Sequence, residues 1–136
     1  MSDLFGNYYV KPTASAGVRA WKVCNQKMGE YQKIRQHALK LAFWPRDADL
    51  DWDWIKSLEA KRVGELRIDE TIAQQNNLRV IFFKANKILP GDPMPRIWTL
   101  TVFQKKRQDF SGKEIAAFRA MRDIVVARWY ADVPGA

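Results

Sequence analysis

Two short stretches, Leu78-Arg-Val-Ile-Phe-Phe83 and Arg96-Ile-Trp-Thr-Leu-Thr-Val-Phe103, constrain the fold most. Val, Ile, Phe and Trp dominate them, as expected of central strands with both faces covered. A third stretch, Gly64-Glu-Leu-Arg-Ile-Asp69, precedes them. The connection Asn86-Lys-Ile-Leu-Pro-Gly-Asp-Pro-Met-Pro95 holds three prolines and a glycine and must be a loop. Strands that follow one another through short connections favour an antiparallel meander.

Helical periodicity flanks this block. From about Asn25 the residues Met28, Tyr31, Ile34, Ala38, Leu41 and Ala42 recur at three- and four-residue steps, predicting an amphipathic helix with His37 on its solvated side. Pro45 is expected to end it, and Asp47-Ala-Asp-Leu-Asp-Trp-Asp-Trp54 to cap a second, shorter helix reaching about Ala60. The alternating aspartates lack the glycine and bidentate glutamate of a calcium loop. Ser111-Gly-Lys-Glu114 is a capping box, so a C-terminal helix starts there, with Ile115, Phe118, Met121, Val125 and Trp129 as its apolar stripe. Upstream, Val18–Val23 reads as a short strand, and residues 1–16 as an arm that packs on the domain or stays loose. The expected class is α+β: two N-terminal helices, a three-to-four-stranded antiparallel sheet and a C-terminal helix, in a single domain over 17–132. Trp21, Trp44, Trp52 and Trp54 crowd the helical half and read as core.

Composition narrows the chemistry. A chain of 136 residues that is 47% hydrophobic can bury one core. One cysteine, Cys24, excludes an intrachain disulfide, and with a single histidine it leaves no set of zinc ligands, so neither metal nor cofactor is expected. Without a run of eighteen apolar residues or a leader-like N-terminus, the expectation is a cytoplasmic protein. The net charge of +8 is unevenly spread: +6 over residues 1–46, −4 over 47–70 and +6 over 71–136. Such a basic excess favours phosphate-bearing partners.

The strand alternation places cations together. Arg67 alternates with Leu66 and Ile68, and Arg79 with Leu78 and Val80, so both arginines share a sheet face. Gln104-Lys-Lys-Arg-Gln108 adds three consecutive cations just before a helix N-terminus. Taken singly, a strand arginine is a salt-bridge partner for a neighbour such as Glu65 or Asp69, and a Lys-Lys-Arg run is a solvated loop. Convergence on one concave face is what holding a phosphodiester chain requires.

In their order, Lys61-Arg-Val-Gly-Glu-Leu-Arg-Ile68, Leu78-Arg-Val-Ile-Phe-Phe83, Trp98-Thr-Leu-Thr-Val-Phe-Gln-Lys-Lys106 and Ser111-Gly-Lys-Glu-Ile115 resemble successive blocks of the phage-derived Gp49-like/HigB group of the RelE toxin superfamily. The resemblance covers roughly half the chain, from the start of the first block to the C-terminal helix. It implies a RelE-like fold and the toxin of a type II toxin-antitoxin pair, a ribosome-dependent endoribonuclease that cuts messenger RNA without a metal. It further implies a cognate antitoxin as partner, together with messenger RNA and the ribosome. Carried over by position, Arg67, Arg79, Lys105 and Lys106 clamp phosphate, and Lys61, Arg62 and Arg107 contact RNA at the periphery. Arginine is no base at neutral pH, so these residues serve electrostatic stabilisation and leave proton transfer unassigned. Members of the group commonly carry Tyr-Arg where this chain has Leu78-Arg79, and no histidine stands near the lysine pair. Tyr130 reads as an aromatic that packs the helix end. The alternative expectation is a noncatalytic module of the same fold that binds nucleic acid or a partner protein.

Overall fold

A computed structural model describes residues 6–44 and 50–133. Five strands form one mixed sheet: β1 (Tyr9–Pro12), β2 (Trp52–Trp54), β3 (Val63–Ile68), β4 (Leu78–Lys84) and β5 (Arg96–Gln104). The spatial order is β1-β5-β4-β3-β2. β2, β3, β4 and β5 are antiparallel to their neighbours, as the meander requires, and β1 joins the β5 edge in parallel. The sheet is therefore longer than expected and mixed, because a segment read as an arm supplies an edge strand. A bulge in β5 leaves Leu100 between Thr99, opposite Phe82, and Thr101, opposite Ile81.

Helices cover both faces, as the doubly apolar strands demand. Helix α1 (Ala14–Val23) and helix α2 (Met28–Leu39) lie on one side. There Ala20, Val23, Cys24, Ile34 and Leu41 pack with Leu66, Val80, Phe82, Ile97 and Val102. Helix α3 (Gly112–Val125) lies on the other, where Phe118, Val125 and Tyr130 pack with Val63, Ile81, Phe83, Trp98 and Leu100. The expected capping box is present: Glu114 N donates to Ser111 Oγ at 3.1 Å and Ser111 N donates to Glu114 Oε1 at 2.7 Å.

Two local expectations are corrected. Val18–Val23 is the second half of helix α1, whose start is fixed by Thr13: its Oγ1 accepts from Ala16 N at 3.1 Å. The buried residues Ala16, Ala20 and Val23 are four and three apart, a helical stripe of small side chains that lets the helix sit close to β5. Thr13 also ties that cap to the sheet, donating from Oγ1 to Thr99 O at 3.1 Å. The second correction is at Trp52–Trp54, which is a strand. Its two tryptophans turn inward and Asp53 outward, a period of two, and it pairs with Gly64–Leu66 of β3. Gly64 is required there, since a Cβ would stand 2.6 Å from Phe82 Cζ and 2.9 Å from Asp53 O. The helix expected after it is reduced to a 3-10 segment, Lys56–Lys61. Pro45, Asp47 and Asp49, the expected helix stop and part of the expected cap, lie outside the described residues.

Trp44, Trp52 and Trp54 form one aromatic cluster with Phe82, Trp44 and Trp52 having centroids 3.7 Å apart. His37 does not stand alone in solvent: its Nε2 is 3.0 Å from Glu70 Oε1, tying α2 to the β3–β4 loop.

Candidate functional site: a cationic cleft around Glu65

Helix α3 leaves one end of its sheet face open. On that floor the alternation of β3 points Glu65 and Arg67 outward from the α1 and α2 side, and β4 contributes Arg79, directly opposite Arg67 in the register. Just past β5, Lys105 reaches back over the same floor, its Nζ lying 4.6 Å from the centroid of the Phe110 ring. A cleft of about 660 Å³ results, lined by Trp54, Glu65, Arg67, Lys105, Phe110 and Ile115 among others. Beyond Lys105 lies a second, shallower groove, lined by Asn77, Arg79, Lys105, Lys106 and Arg107. Lys105 is thus shared by the two depressions, and Lys106 and Arg107 continue from it along the second as a cationic ridge.

The expectation that Arg67 and Arg79 share a face holds, and the ridge joins them. Lys61 and Arg62 stand elsewhere. Both precede β3, whereas Arg67 and the ridge lie at its far end, roughly 16 Å away for a six-residue strand. Arg62 has a left-handed backbone with φ of 61° and closes the β3–β4 ladder, its Nε donating to Lys84 O at 2.8 Å. Lys61 pairs with Asp123 of α3 at 3.7 Å. These two residues hold the 3-10 segment and helix α3 in place and take no part in the cleft.

Glu65, expected from the sequence only as a salt-bridge partner, is the centre of the cleft. It is 5% exposed. Its Oε1 accepts from Arg79 Nε at 2.9 Å and is 3.6 Å from Lys105 Nζ. A carboxylate so buried must be paired, and here two cations meet on a single oxygen. Arg67 is balanced separately by Asp51, 2.9 Å away, and Asp53, 3.6 Å away. Burial alone would lower the Arg67 pKa, but the Asp51 hydrogen bond and the nearby acids outweigh it and hold Arg67 above its ordinary value. Arg107 is within 3.5 Å of Glu114 Oε1, so the capping carboxylate also draws the ridge toward α3. Lys106 is exposed and has no ion pair among the described residues.

Chemically, the arrangement offers fixed positive charge at three points around one buried carboxylate. Glu65 lies two residues from Arg67 on the same alternation, so the pattern that finds the arginine also contains the acid. Tyr130 is not part of the cleft. It is 2% exposed and accepts from Trp98 Nε1 at 3.0 Å, near the opposite end of β5. Among the described residues no cluster of histidine, cysteine and carboxylate side chains has the form of a metal site, and no helix is long and apolar enough to cross a membrane.

Comparison of the chain with family models, with curated proteins and with solved structures finds no match.

Proposed function

We propose that the cleft holds a single-stranded RNA and cleaves it without a metal, and that the chain is the RelE-like toxin of a type II toxin-antitoxin pair acting on messenger RNA at the ribosome, in the cytoplasm. The observation that carries this reading is the meeting of Arg79 and Lys105 on the buried Glu65, beside Arg67. Self-cleavage of RNA needs a base for the 2′-hydroxyl, positive charge for the phosphoryl oxygens and an acid for the departing 5′-oxygen. Glu65 takes the 2′-hydroxyl proton as the 2′-oxygen attacks phosphorus. Arg67 and Arg79 stabilise the charge that grows on the phosphoryl oxygens. Lys105, a cation that can give up a proton where arginine cannot, protonates the 5′-oxygen as its bond to phosphorus breaks. Lys106 and Arg107 steer the backbone. An antitoxin segment rich in acids would occupy the same cations and block them.

A second reading rests on one observation: Arg67, Arg79 and Lys105 already have carboxylate partners. A cleft so balanced fits a noncatalytic module that binds nucleic acid or a protein through Lys106, the ridge cation with no ion pair among the described residues.

Expression from a tightly repressed promoter in a bacterial host, with message ends mapped by primer extension, separates the two. Growth arrest with cuts confined to translated regions, lost in Glu65→Gln and Lys105→Ala, supports the toxin. Normal growth with folded protein and intact messages supports the binding module.

A further inference from the structure

At the other end of β5 the structure builds a second cationic surface of different character. Tyr9 of β1 is opposite Arg96 of β5. The Arg96 guanidinium carbon lies 5.5 Å from the Tyr9 ring centroid, 5.2 Å from that of Trp98 and 5.3 Å from that of Trp129. Asp92 fixes that guanidinium with two hydrogen bonds, Nε to Oδ2 at 2.7 Å and Nη2 to Oδ1 at 3.2 Å. Trp98 and Tyr130 form the buried layer beneath, joined by their own hydrogen bond. Tyr9 and Trp129 lie outside that layer and remain 43% and 41% exposed.

Each exposed ring carries a further cation. Lys11 Nζ is 5.8 Å from the Tyr9 ring centroid, and the Arg128 guanidinium carbon is 5.7 Å from that of Trp129. Among the described residues neither Lys11 nor Arg128 has an ion pair, and Asp92 is spent on Arg96. Half-exposed aromatic rings held by a clamped arginine, each with a further cation within about 6 Å of its centroid, offer the two kinds of contact that unpaired bases and the phosphates between them use.

We propose that Tyr9 and Trp129 are a stacking platform for the bases of a single-stranded nucleic acid, with Lys11 and Arg128 meeting its phosphates. The platform is independent of the cleft. β5 spans nine residues, so roughly 26 Å of strand separates the two sites. Arg96 is a positioning residue: its guanidinium, held by Asp92, contacts both rings.

The test uses a labelled 2′-O-methyl oligouridylate on the order of twelve nucleotides, which the 2′-hydroxyl chemistry proposed for the cleft cannot cut, followed by fluorescence anisotropy. Tyr9→Ala/Trp129→Ala is expected to weaken binding about tenfold, while Tyr9→Phe/Trp129→Phe retains it, since a phenyl ring still stacks. Ultraviolet crosslinks are expected at Tyr9 and Trp129 in the wild type and also in Lys106→Ala/Arg107→Ala, where the cleft ridge is disabled. A duplex of the same length is expected to compete poorly because its bases are not free to stack. Wild-type binding by the alanine pair, equal losses in the alanine and phenylalanine pairs, equal competition by duplex, or no binding by the wild type would each overturn the platform. Failure of the cleft proposal alone appears differently: the platform crosslinks remain and messages stay intact.

Discussion

Arg67 and Arg79 face each other across β3 and β4, on the same side of the sheet, yet share no carboxylate: Arg79 is hydrogen-bonded to the buried Glu65 and Arg67 to Asp51. Like charges directly opposite one another are unfavourable, so each arginine depends on its own acid. The two pairs differ in solvent access, with Arg79 and Glu65 at 14% and 7% side-chain exposure and Arg67 and Asp51 at 34% and 57%. Arg79→Ala leaves Glu65 with Lys105 alone and is expected to cost about 2–4 kcal/mol. Arg67→Ala breaks a screened surface pair and relieves the cross-strand repulsion, so its cost is below about 1 kcal/mol. Urea unfolding of the two variants measures the difference. Arg67→Ala is therefore the cleaner variant for an activity assay, because its fold is intact.

The ridge and the start of β3 should separate in binding experiments. Lys106 is exposed and unpaired among the described residues, whereas Lys61 is tied to Asp123. Lys106→Ala is expected to leave the melting temperature unchanged and to lower the slope of log affinity against log salt for single-stranded RNA by about 0.7, one phosphate contact. Lys61→Ala is expected to leave that slope as it is. Anisotropy titrations over a salt series would show it, and an equal effect of the two variants would mean that the ridge is not the RNA contact.

What the sequence makes legible depends on how local the determining contacts are. Helix α3 is readable because Ser111 and Glu114 fix its start within four residues, and β3, β4 and β5 because their short, nearly continuous apolar runs are self-contained. Helix α1 is not readable from Val18–Val23 alone, since the cap that decides it is Thr13 and the stripe that buries it is made of alanines. The Asp-x-Asp spacing before Trp54 has the look of acids at a helix start, but the same residues have period two, and Leu66 and Gly64 opposite them choose the strand. Nothing local announces β1, which pairs with a strand more than eighty residues away. The site divides in the same way. The shared face of Arg67 and Arg79 follows from alternation, while the counter-charges from Asp51 and Asp53 depend on β2 lying beside β3. The platform of Tyr9 and Trp129 depends on β1, α3 and the turn after it meeting at Arg96, and so is visible only in the fold.

Tyr130 distinguishes a structural hydroxyl from a catalytic one. Burial raises its pKa, against the opposing effect of the hydrogen bond from Trp98, so the hydroxyl stays neutral at all physiological pH values. Tyr130→Phe removes the acceptor of the buried Trp98 indole and is expected to cost about 1–3 kcal/mol of stability. Message cleavage under conditions where the variant remains folded should be unchanged. A loss of cleavage without a loss of stability would instead make Tyr130 a proton donor.

The capping box makes the stability of α3 depend on pH. The Ser111 backbone amide holds the Glu114 carboxyl below its ordinary value, with further lowering from the Ser111 hydroxyl and the Arg107 charge against the effect of burial. A carboxylate depressed in the folded state adds stability that is fully present above its unfolded pKa and is lost as pH falls through its folded pKa. For Glu114 that loss begins below the ordinary value of 4.5. Glu114→Gln keeps an acceptor of the right length, and capping boxes accept glutamine, so at neutral pH its cost is small. The two proteins should therefore converge in stability as pH falls from about 5 toward about 3, the wild type losing more. Ser111→Ala, which removes the other half of the box, is expected to cost about 1 kcal/mol. Thermal unfolding at neutral and acid pH measures all three, and a constant gap between wild type and Glu114→Gln across that range would show that the Glu114 charge does not stabilise the start of α3.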